Sequence, residues 1–95
     1  ILAAGLEGIR EGMDPGKPHT ENMYEYSLEE LKGMGIETLP KTLGDAIAAF
    51  AADPLSKAVM GPLMYQTYID FKTQEWEDYH CHISDWEIQR YLKFF

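Results

Sequence analysis

From about Pro62 to His82, Tyr65, Tyr68, Ile69, Trp76 and Tyr79 fall at i, i+3, i+4, i+11 and i+14, which places all five on one face of a single long helix. That segment is the strongest constraint on the fold, and its neighbours carry the same period. Leu2, Leu6 and Ile9 recur at helical spacing, and the run Asp14-Pro15-Gly16-Lys17-Pro18 ends that helix near Gly12, because proline cannot continue it. Residues 19–26 read as an exposed loop closing on Tyr24-Glu25-Tyr26. Ser27-Leu28-Glu29-Glu30 is a capping box and predicts a short helix that stops at the Gly33 to Gly35 pair. A further helix is expected over 42–51, with Leu43, Ala46, Ile47 and Phe50 on one stripe. Asp53-Pro54 supplies the cap and first position of another, stopping at Gly61. Ser84-Asp85-Trp86-Glu87 is a second capping box, with Ile83 and Ile88 spaced as a hydrophobic staple, and predicts a helix to about Leu92. Alternating strand patterns, internal repeats and low-complexity tracts are absent from the sequence, so the expected class is all-α.

Ninety-five residues make one small domain or part of a larger one, with a core too modest for comfortable stability alone. An aromatic content of 13% argues against disorder, and nine of the twelve aromatics lie from Tyr65 onward. A formal charge of −8 repels phosphate backbones and anionic lipid, which argues against nucleic-acid and membrane-surface partners. The sequence has no apolar run of membrane-spanning length. The lone Cys81 has no partner for an internal disulfide, which fits a reducing, cytoplasmic setting. Ile1 opens directly onto Leu2-Ala3-Ala4-Gly5-Leu6 with no cap or polar lead-in, so the expectation is a chain cut inside a helix of a longer protein.

Catalytic chemistry is not legible in these residues. His80-Cys81-His82, with Glu77 one turn earlier, has metal-ligand atom types, but adjacent helical side chains diverge by about 100° and do not converge on one ion. Ser27 and Ser84 are explained as helix caps, and the glycines sit in a helical stripe or at helix ends, where they cradle no phosphate. No catalytic, cofactor-binding or metal-ligating residue is therefore assigned. The ending is unusual. Trp86, Ile88, Tyr91, Leu92, Phe94 and Phe95 cover more than one side of a short helix, so residues 84–95 are expected to dock onto another chain through Trp86, Ile88, Tyr91 and Phe94. Packing onto the chain's own domain is the alternative.

Four stretches resemble bacterial glutamine synthetases, in the right order and over essentially the whole chain. Leu2-Ala3-Ala4-Gly5-Leu6-Glu7-Gly8-Ile9 followed by Asp14-Pro15-Gly16 resembles the helix and loop entering the last part of those enzymes. Glu21-Asn22-Met23-Tyr24 is similar to their Asn-Leu-Tyr loop, and Leu39-Pro40-Lys41-Thr42-Leu43-Gly44-Asp45-Ala46 to their Leu-Pro-x-Ser-Leu-x-x-Ala stretch. Glu75-Trp76 through Trp86-Glu87 to Arg90-Tyr91 resembles their C-terminal pattern. The ending from Ser84 to Phe95 looks closest to the branch labelled type III in rhizobia, which also holds γ-glutamylmethylamide synthetases and a hydroxylaminophenol mutase.

The resemblance implies the helical C-terminal part, residues 1–95, of an α+β catalytic domain in a two-step ligase. ATP phosphorylates the γ-carboxylate of glutamate, and ammonia or a small amine displaces the phosphate, with magnesium or manganese neutralising phosphoryl charge. It also implies a dodecamer of two stacked hexamers in which residues 84–95 form an intersubunit tail. The family's metal carboxylates and transition-state arginines precede the counterpart of Ile1, so the isolated chain is expected to be inactive. Tyr24 aligns with the tyrosine adenylylated in some type I enzymes, beside the nucleotide site. There Asp-Leu-Pro typically follows, whereas Glu25-Tyr26-Ser27 follows here, which favours an unmodified tyrosine lining the entrance. The rival expectation is a stand-alone helical interaction module without catalysis.

Overall fold

A computed structural model describes residues 1–94; Phe95, the last aromatic of the expected tail, lies outside the described residues. Six α-helices and two short 3-10 turns are present, with no strand among the described residues. The chain divides into two compact units, 1–39 and 40–95.

The first unit is built from local signals. Helix α1 spans Leu2–Glu11 and ends on Gly12, whose φ of 62° is left-handed. The Gly12 N–H donates to Ile9 O and the Met13 N–H to Gly8 O, a Schellman closure that satisfies carbonyls the helix leaves open. Helix α2, Leu28–Gly33, starts at the capping box expected from sequence: the Glu30 N–H donates to Ser27 Oγ at 3.3 Å, and the Ser27 N–H to Glu30 Oε2 at 2.7 Å. It ends as α1 does, with Gly35 at φ 74° and the Ile36 N–H donating to Leu31 O. Leu31 is the buried apolar residue of the described chain, at 9% exposure.

The second unit is organised around α5. Helix α3, Leu43–Ala52, is capped by Thr42, whose Oγ1 accepts from the Asp45 N–H at 3.0 Å. Helix α4, Pro54–Met60, is capped by Asp53 through the Leu55 N–H at 2.9 Å. Helix α5 runs Pro62–His80, and α3 and α4 both pack on it. Leu43, Ala46, Ile47 and Phe50 are half-buried, the stripe read from the sequence. Phe50 meets Tyr65 at 5.9 Å and Tyr68 at 5.4 Å between ring centres. Tyr65 also donates its hydroxyl to Ala51 O at 2.6 Å.

Burial along the α5 face is uneven, and one stretch read as loop is partly regular. On α5 the half-buried residues are Tyr65, Ile69, Lys72, Thr73 and Trp76, whereas Tyr68 is 42% and Tyr79 is 72% exposed. The opposing helix explains the exposure of Tyr79. Gly44, near the start of α3, already faces Trp76, so ten residues of α3 run out before reaching Tyr79. Residues 19–26 are also not wholly irregular: Met23–Glu25 form a 3-10 turn, because Asn22 caps it.

Candidate functional site

Tyr24 sits within that turn. Its backbone N–H donates to Asn22 Oδ1 at 3.3 Å, while Asn22 Nδ2 donates to Glu25 Oε1 at 3.2 Å. The side chain of Asn22 thus fixes the turn from both ends, and the ring is left 99% exposed.

The tail is fixed just as locally. Helix α6 spans Asp85–Tyr91 and passes into a 3-10 turn at Leu92–Phe94. At its start the Glu87 N–H donates to Ser84 Oγ, and Glu87 Oε2 accepts from both the Ser84 N–H and its hydroxyl at 2.8 Å. Those two bonds hold the Glu87 carboxyl below the usual glutamate range, the backbone N–H contributing most. The Ser27 backbone N–H, then its hydroxyl, do the same for Glu30. Ile83 and Ile88, the expected staple, line one shallow groove with Tyr91 and Leu92.

Packing of α6 is chiefly with the turn that follows it. Trp86, Ile88, Tyr91 and Phe94 are 64%, 41%, 52% and 78% exposed, and the rings of Trp86 and Tyr91 meet edge to face at 6.0 Å. A short helix with apolar side chains on several faces cannot bury them against one neighbour.

The metal-type residues at the end of α5 do not gather. His80 stacks on Trp76 with ring centres 5.1 Å apart, and Cys81 is an exposed free thiol in the helix cap. Among the described residues no three His, Cys, Asp or Glu side chains converge as an ion would require. No helix among the described residues is long and apolar enough to cross a membrane.

Sequence reasoning passed over Gly44. A Cβ there would lie 2.9 Å from Trp76 Cε2 and 3.0 Å from Nε1, so the missing side chain is what lets the indole lie against α3. The available signal was a glycine one residue after Leu43, inside the apolar stripe of a helix.

The sequence of the chain is matched by known proteins. The family model for the glutamine synthetase catalytic domain covers residues 1–91. A glutamate–methylamine ligase of Methyloversatilis universalis is 39% identical over 95 residues, all of this chain and 21% of the relative. Glutamine synthetases of Archaeoglobus fulgidus and Halobacterium salinarum are 39% identical over 91 residues and 37% over 95, covering 96% and 100% of this chain but 18% and 21% of those proteins. The chain therefore spans about one fifth of the length of the curated relatives it matches. With residues 1–91 matched, almost its whole length, the chain belongs to the glutamine synthetase catalytic-domain family.

Proposed function

We propose that this chain is the C-terminal helical part of an ATP-dependent ligase that joins ammonia or a small amine to the γ-carboxylate of glutamate. The observation that carries this reading is the match of residues 1–91 to the family model for the catalytic domain. A methylamine ligase and a glutamine synthetase stand at the same 39% identity, so both amines belong in the substrate class. Assaying the full-length protein with glutamate, ATP and magnesium or manganese, and with ammonia or methylamine in separate reactions, should give amine-dependent phosphate release. Release with neither amine would overturn the reading.

ATP and the divalent metal belong to that whole enzyme, which we place in the cytoplasm. We assign a site for neither group to residues of this chain. The purified 95-residue chain is accordingly expected to read background in the same assay.

The large total exposed surface supports membership of a larger body over a stand-alone module. The described chain exposes 8711 Å². Two separately compact units of the same total mass would expose only about 6,700 Å² by the usual scaling of surface with mass. In this reading residues 84–95 anchor one subunit to another in a dodecamer of two stacked hexamers. Burying large side chains such as Trp86, Tyr91 and Phe94 in a partner contributes on the order of 1.5–3 kcal/mol each. Deleting 84–95 from the full-length enzyme should split stacked rings into single rings, measured by sedimentation or native mass spectrometry, with circular dichroism unchanged per subunit. An oligomer of undiminished stoichiometry would sink the anchor.

Tyr24 is the counterpart of the adenylylation-loop tyrosine and is read as an unmodified residue at the entrance of the nucleotide site. The departure at Glu25-Tyr26-Ser27 supports that role. Intact-mass analysis of the enzyme from nitrogen-replete cells should find no AMP adduct on Tyr24, and finding one would reverse the assignment.

A further inference from the structure

No further inference is drawn: the strongest candidate, the open apolar groove at the α4–α5 junction lined by Met60, Leu63, Met64, Tyr68 and Phe71, is an unpartnered face, and nothing in the structure shows what covers it.

Discussion

At position 44 a side chain would collide with the Trp76 indole, because the nearest ring atom would stand 2.9 Å from an added Cβ. Gly44→Ala therefore sets two effects against each other. Alanine favours the helix by about 1 kcal/mol, while overpacking against a ring costs typically about 1–3 kcal/mol. The collision should win, lowering helix content and shifting Trp76 emission. Gly5→Ala is the control, since a Cβ there meets nothing within 4 Å. It should raise helicity by about 0.5–1 kcal/mol. Equal gains in both variants, read by circular dichroism, would show that the indole yields freely. Tyr65→Phe removes the 2.6 Å bond to Ala51 O while keeping the ring stack on Phe50. The expected loss is about 0.5–1.5 kcal/mol, and hydrogen exchange at the end of α3 would detect it.

Among the elements, α2 and α6 share one construction: a serine that caps and a glutamate that answers it. Ser27→Ala and Ser84→Ala should each destabilise their helix by about 1 kcal/mol. Acidification should act on the same bonds. Glu30 and Glu87 have folded pKa values below the ordinary one, so their contribution is present above the unfolded pKa and is lost as pH falls through the folded value. Lys72 runs the other way. The Glu75 carboxylate that accepts its hydrogen bond raises its pKa, so that contribution is present below the ordinary lysine value and fades as pH rises through the folded one. Around neutral pH none of the three contributes a slope. Titrating the Glu30 and Glu87 side-chain carbons by NMR should give midpoints below that of an unstructured glutamate peptide, and coincident midpoints would refute the boxes.

For the molecule as a whole, the shortage of burial decides behaviour. Leu31 is the buried apolar residue among those described, while Leu6, Ile9, Leu63, Phe71, Trp86 and Phe94 all stand more than half exposed. Hydrophobic burial is the main term that makes unfolding cooperative, so helices held mostly by caps and backbone bonds should melt gradually. Scanning calorimetry of the 95-residue chain should show a broad transition of low enthalpy, accompanied by binding of an apolar dye such as ANS. A sharp transition with no dye bound would mean that the exposed faces find partners, most simply in a second copy.

The sequence alone determined what depends on neighbours within about five residues. Both capping boxes, the Thr42 and Asp53 starts and the glycine stops are contacts between residues two to five apart, so their outcome was present in the spacing. The Tyr24 turn was not legible: residues 19–26 read as a loop, and the grip of Asn22 on both ends of the turn came from the structure. Tertiary structure decided the rest. Only the finite length of α3 leaves Tyr79 exposed, only the approach of Trp76 gives Gly44 its role, and only the placement of α6 leaves Trp86 and Phe94 open. The physical reason is that periodicity states which face of a helix is apolar, whereas burial depends on how far an opposing element extends along that face.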